Sequence, residues 1–144
     1  MWVKKLAIVT KVFVDTNIFL RFLTNDDPAK AKRVELLFRK AVQGNISLIT
    51  SLLVIAEIVW TLESFYHLTK TDIASKVETI LNTPHLFCPQ AEMIIMALDL
   101  YVQENIDFID AVHAHDLLTQ GLSQIATYDH KHFKRVPWLE IYPI

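Results

Sequence analysis

Between Val12 and Asn17 the chain changes character within one residue. Val12-Phe13-Val14 is apolar and β-favouring, and Asp15-Thr16-Asn17 then supplies a carboxylate, a hydroxyl and an amide. An apolar, helix-like segment, Ile18 to Leu23, follows at once. A continuous apolar strand belongs in a parallel sheet with helices over both faces. In open sheets of that kind, chemistry sits just beyond the carboxyl ends of the strands, which is where Asp15 stands. A purely structural role competes with this, because Asp15 or Thr16 can also N-cap the helix. The remaining acids have to decide between the two.

The rest of the chain repeats the alternation. Asp26-Asp27-Pro28 is a helix start, with Pro at the first helical position. Ala29 to Gln43 then carries Val34, Leu37, Phe38 and Ala41 on one face, with Lys30, Arg33, Arg39 and Lys40 largely outside it, and Gly44-Asn45 ends the helix. Those basic residues read as a solvated face more readily than as a nucleic-acid patch. Ile46 to Thr50 is a second strand, and Ser51 opens an apolar helix from Leu52 to about Phe65. Thr71-Asp72 starts a helix that runs to about Leu81. Leu86 to Cys88 is a brief strand closed by Pro89, and Gln90 to Gln103 is helical. A helix led by Asp107 stops at Gly121, Ser123 to Ala126 forms a strand running into Thr127-Tyr128-Asp129, and Leu139 to Tyr142 reads as a last strand. The spacing predicts an α/β fold, a three-layer α/β/α arrangement around a mainly parallel central sheet. We expect one domain over 1–144, with its core from about 12 to 144 and residues 1–11 as an extra N-terminal segment or an extension of the first strand.

Composition narrows the function classes. A net charge of −2 argues against a passive nucleic-acid binder, though not against an enzyme whose metal ions supply local positive charge. The longest apolar stretch, Leu48 to Trp60, is interrupted by Thr50, Ser51 and Glu57 and is too short to span a bilayer, so no membrane association is expected. Lys4 and Lys5 ahead of Leu6-Ala7-Ile8-Val9 only faintly echo a signal peptide. The single Cys88 forms no internal disulfide and fits a reducing, cytoplasmic setting.

Four acids then stand out. Asp15 and Asp129 follow strands, Glu57 lies in an otherwise apolar helix, and Asp110 falls in the first turn of the helix led by Asp107. An unpaired carboxylate is costly to bury, so Glu57 should face a cation, a polar cleft or water. Asp107 as a cap, and Asp110 as a partner of the helix dipole, have structural explanations of their own. Parallel topology nevertheless carries all these junctions toward one edge of a sheet. Carboxylates gathered there repel one another unless divalent cations lie between them. Oxygen-only ligands select hard ions, Mg²⁺ or Mn²⁺ rather than Zn²⁺, and one or two such ions are the equipment of phosphodiester hydrolysis.

Taken in order, Val14-Asp15-Thr16-Asn17, Glu57 in its apolar helix, Asp107-Phe108-Ile109-Asp110-Ala111, and Thr127-Tyr128-Asp129 followed by Phe133 resemble the PIN domain. Within that family the sequence is most similar to the VapC-type toxin ribonucleases of prokaryotic toxin–antitoxin pairs. The resemblance runs from about Val12 to the C-terminus. It implies a Mg²⁺- or Mn²⁺-dependent endoribonuclease with RNA as substrate, a cognate antitoxin as partner and a homodimeric state. It also implies that Asp15, Glu57, Asp110 and Asp129 form the catalytic, metal-holding quartet. Thr16, Asn17 and Thr127 would be polar supports, Asp107 an auxiliary acid at the rim, and Arg21 a basic residue near the cleft.

Other residues carry weaker signals. Lys131, Lys134 and Arg135 could touch RNA phosphate, as could His130 and His132, although the histidines fit an ordinary surface better. His113 and His115 are two residues apart on a helix and cannot chelate one ion together. His115-Asp116 lacks the further His and Asp residues that metal phosphohydrolases with such a pair require. A phosphoacceptor signalling module would need an acidic pair ending the first strand, and Asp26-Asp27 precedes a helix instead. An RNA-processing enzyme and a catalytically silent scaffold remain as alternatives to the toxin.

Overall fold

A computed structural model describes residues 9–144; the Lys4-Lys5 segment lies outside them. The strands are β1 (Thr10–Phe13), β2 (Ile46–Ile49), β3 (Leu86–Phe87), β4 (Gln124–Ile125) and β5 (Glu140–Ile141). The helices are α1 (Thr16–Thr24), α2 (Pro28–Val42), α3 (Leu52–Ser64), α4 (Lys70–Leu81), α5 (Ala91–Gln103), α6 (Phe108–Thr119) and the short α7 (His130–Phe133). Every strand pairing is parallel, as the alternation of strand and helix requires. β1 begins at Thr10, opposite Ile46. Two residues of the stretch read as an extra N-terminal segment therefore belong to the first strand.

Among the described residues the strands form two ladders, β1-β2-β3 and β4-β5, not hydrogen-bonded to each other. In the first, Val12, Leu48 and Leu86 share one face, and Phe13, Ile49 and Phe87 the other. Leu48 is fully buried, whereas Phe13 is 58% and Phe87 56% exposed, so helices seal one face more completely than the other. The core collects Phe19, Ile55, Ile58, Ile73, Ile94 and Tyr101, all buried, from α1, α3, α4 and α5.

Local chemistry sets the helix ends. Asp27 accepts from the Lys30 amide ahead of Pro28, and Ser51 and Thr69 cap α3 and α4 through their hydroxyls. The Thr69 cap starts α4 at Lys70, ahead of the Thr71-Asp72 start predicted from the sequence. Gly44 and Gly121 take φ of +78° and +74°, the left-handed geometry that suits glycine just past a helix. The unexpected element is α7, folded from the histidine- and lysine-rich segment that follows Asp129. Phe133, buried at its end, holds this turn against the core.

Candidate active site

At the end of β1 the Val14 amide donates to the Ile49 carbonyl at 2.8 Å, and the Thr50 hydroxyl donates to the Val14 carbonyl at 3.1 Å. The strand end is thus locked just where the carboxylate begins. Asp15 is the N-cap of α1, exposed, and accepts from the Thr16 amide at 2.7 Å. Thr16 is buried, and its hydroxyl donates to Glu57 Oε2 at 2.7 Å. That bond crosses from α1 to α3 and fixes Glu57, which is exposed on its otherwise apolar helix. Asp15, Thr16 and Glu57 therefore form one polar group.

A second group stands on α6 and α7. Asp107 occupies the N-cap position of α6, but its side chain makes no capping bond and is 68% exposed. Asp110 lies one turn on, with its side chain 18% exposed. Asp129 caps α7 by accepting from the His132 amide at 3.4 Å, and its own amide donates to the Thr127 hydroxyl at 2.9 Å. Thr127 so fixes the turn that presents Asp129. His132 stands between the acids. Its Nδ1 lies 2.9 Å from Asp110 Oδ2, 3.5 Å from Asp129 Oδ2 and 3.8 Å from Asp107 Oδ2. Burial pushes the Asp110 carboxyl up from its ordinary range; the His132 bond pulls it down, and Asp129 and Asp107 push it up again.

Among the described residues no hydrogen bond or ion pair joins Asp15 or Glu57 to Asp110 or Asp129. Glu57 is tied to the α1 start through Thr16, while Asp110 and Asp129 both stand beside His132. A cavity of about 350 Å³ opens between α3 and α6, lined on one side by Ala56, Val59, Trp60 and Glu63 and on the other by Asp107 and Ile109.

The basic candidates divide differently. Lys131 and Lys134 are exposed and free to meet a polyanion. Arg21 is engaged by Asp26 at 3.1 Å, and it lines a surface cavity with Asn17, Lys30 and Arg33. Arg135 is committed: its guanidinium donates to the carbonyls of Glu104 at 3.3 Å and Asn105 at 2.6 Å. Lys70 adds a third bond to the same loop, donating to the Ile106 carbonyl at 2.8 Å, while its ammonium stands 4.3 Å from the centre of the Tyr101 ring. Burial lowers the Lys70 pKa. Together these two cations hold the segment from Glu104 to Ile106, immediately before Asp107. Through Nη1, Arg135 therefore supports this loop. Arg135→Ala should lower kcat about 10-fold, the lower end of what is lost when a support of a metal ligand is removed. KM for RNA and its salt dependence should hold; a change confined to KM would return Arg135 to the RNA surface.

His132 was not singled out in the sequence, where it reads as one of two flanking surface histidines. The available signal was its spacing from Asp129: three residues within one helical turn share a side. His115 goes the other way, buried beside Trp138 at 4.9 Å between ring centres, a core residue whose burial lowers its pKa.

Asp107, Asp110 and His132 make up a group that could hold a metal ion in this parallel α/β domain. The PIN domain family model matches residues 12–139, and the chain belongs to that family. It is similar to a VapC ribonuclease of Aquifex aeolicus (strain VF5), 27% identical over 130 residues, covering 90% of this chain and 95% of the relative. Among solved structures it is similar to VapBC2 from Rickettsia felis bound to a DNA fragment of its promoter, at 20% identity and a TM-score of 0.39, over 92% of this chain and 98% of that one. VapC20 of Mycobacterium tuberculosis, a sarcin-ricin loop cleaving toxin, is 17% identical with a TM-score of 0.39, over 92% and 99% of the two chains.

Proposed function

We propose that this protein is a divalent-metal-dependent endoribonuclease and the toxin of a toxin–antitoxin pair, acting as a single PIN domain over 1–144. What carries the reading is the convergence of Asp107, Asp110 and Asp129 on one point, in a member of the PIN family. The carboxylates of Asp107, Asp110 and Asp129 suit a divalent cation, and one ligand atom each from Asp107, Asp110 and His132 lies within 4.8 Å of the others. Asp110 and Asp129 are the residues that hold the ion, with Asp107 beside them; Asp15 and Glu57 complete the acidic set from α1 and α3. A bound Mg²⁺ or Mn²⁺ supplies Lewis acidity toward the phosphate and a more acidic water.

The chain's own residues do the rest. Thr127 keeps the Asp129 turn in place, and Thr16 keeps Glu57 aimed toward the α1 start. Glu57 accepts a hydrogen bond from the attacking water. Lys131 and Lys134 meet the RNA backbone, whose phosphates set register without reading sequence. Single-stranded or looped RNA is the substrate class. The partner is a cognate antitoxin and the working form a homodimer in the cytoplasm; no described helix is long and apolar enough to cross a membrane.

The test is cleavage of total RNA by purified protein with Mg²⁺ or Mn²⁺, against EDTA, with analysis of the product ends. Metal-dependent products bearing a 5′-phosphate and a 3′-hydroxyl are expected, as is relief of growth arrest when the neighbouring small open reading frame is co-expressed. A cyclic phosphate would mean attack by the RNA 2′-hydroxyl and would overturn the water mechanism. Metal binding with no cleavage of any RNA would leave a binding scaffold.

A further inference from the structure

His132 has a place that the acidic quartet alone does not explain. Its side chain is 18% exposed, as closed off as Asp110, and its Nδ1 rather than the ring edge faces all three nearby carboxylates. The backbone enforces this. Asp129 accepts from the His132 amide, and the next residue, Phe133, is buried, so the α7 turn can present position 132 only on the side of Asp110 and Asp129. A counter-ion on a flexible surface chain needs no such anchoring. Ligands 2.0–2.2 Å from one ion are at most about 4.4 Å apart. The one-atom-each set from Asp107, Asp110 and His132 lies within 4.8 Å, within a small side-chain adjustment of a shared coordination sphere.

Resting on the nuclease reading above, we propose that His132 binds the catalytic cation through Nδ1 and so makes the site prefer a first-row transition ion to Mg²⁺. Binding requires the Nδ1 lone pair. The neutral ring then carries its proton on Nε2, and the metal takes the place beside Nδ1 that Asp110 Oδ2 fills at 2.9 Å. Mg²⁺ takes oxygen donors and tolerates departures from its octahedron poorly, whereas first-row transition ions accept imidazole nitrogen. Two or three carboxylates with one imidazole therefore form a mixed oxygen–nitrogen site, set apart by its nitrogen from an all-carboxylate one.

The competing role is that of a fixed cation: a protonated His132 neutralising three acids and excluding the metal. The two roles predict opposite signs. Metal-stripped full-length protein is titrated with Mn²⁺ and, separately, with Mg²⁺ by calorimetry, using the wild type, His132→Gln and Asp110→Asn. Pulsed EPR of the wild-type Mn²⁺ complex reads ¹⁴N coupling directly and depends on no variant folding. Expected are ¹⁴N coupling in the wild type, and a loss of Mn²⁺ affinity of about 10–100-fold in His132→Gln with Mg²⁺ affinity little changed. Mn²⁺ bound without ¹⁴N coupling, or more tightly in His132→Gln, would overturn the proposal and make His132 a counter-charge. Asp110→Asn serves as the separate control. If it leaves Mn²⁺ binding intact, the acidic site itself is misplaced; if it abolishes binding while His132→Gln does not, only the nitrogen ligand fails.

Discussion

Asp110→Asn is expected to abolish metal-dependent RNA cleavage while making the metal-free protein more stable at neutral pH. The activity loss should be at least ~100-fold, since losing a residue that merely supports a metal ligand already costs 10–100-fold. The stability gain follows from the same geometry. Burial raises the Asp110 pKa, and Asp129 and Asp107 add to that against the pull of His132. A carboxyl with a raised pKa binds its proton more tightly in the folded than in the unfolded chain. Its contribution is therefore fully present below the unfolded pKa of about 3.9 and is lost as pH rises through the folded value. Asparagine keeps the shape and never ionises, so it does not suffer this loss. Melting temperatures of metal-stripped wild type and Asp110→Asn should coincide near pH 3–4, and the variant should melt higher as pH rises toward 7. Added Mn²⁺ should close or reverse the gap, because only the wild type gains the ion's stabilisation. A variant that cleaves normally, or whose melting temperature stays parallel to the wild type at every pH, would remove Asp110 from the site.

That pairing of lost function with gained stability marks what the sequence could convey. Asp15 and Asp129 were legible because an apolar strand breaking into a carboxylate is a local event, read residue by residue. Asp107 and Asp110 were legible for a similar reason, three residues apart at a helix start. Local signals also located the helices: Asp27-Pro28, Ser51, Gly44 and Gly121 act within a turn of where they stand. What the sequence could not convey is how separate elements meet. The expectation that parallel topology brings all four acids to one edge assumed a single sheet. The strands form two hydrogen-bonded ladders, and the contacts that place the acids, Thr16 to Glu57 and His132 to Asp110 and Asp129, are tertiary ones no local pattern announces. Arg135 illustrates the same point. Three basic residues close together suggest a phosphate surface, yet this guanidinium is used on loop carbonyls some thirty positions earlier. A cation's sequence neighbours do not reveal its tertiary acceptor.

Phe19→Ala should produce the largest loss of stability among the substitutions considered, and it separates the two acidic groups. Phe19 is fully buried, one turn beyond Asp15, and stacks on Phe38 with ring centres 5.8 Å apart; Phe22 meets the same ring edge-on at 4.9 Å. Removing the ring deletes the anchor that holds α1 against α2 and leaves a cavity. The cost is about 3–5 kcal/mol, a large share of the roughly 5–15 kcal/mol that holds a domain together. The melting temperature should fall by about 10–15 °C. Phe87→Ala, at a side chain 56% exposed, should move stability by no more than about 0.5 kcal/mol. Well below its transition, Phe19→Ala is still folded, but the α1 start carrying Asp15 and Thr16 has lost its support. Asp107, Asp110 and Asp129 stand on α6 and α7 and keep theirs. Mn²⁺ binding should therefore persist while cleavage falls, which would give the Asp15–Thr16–Glu57 group a share in the chemistry separate from holding the ion. If binding and cleavage fall together, the two groups act as one metal site.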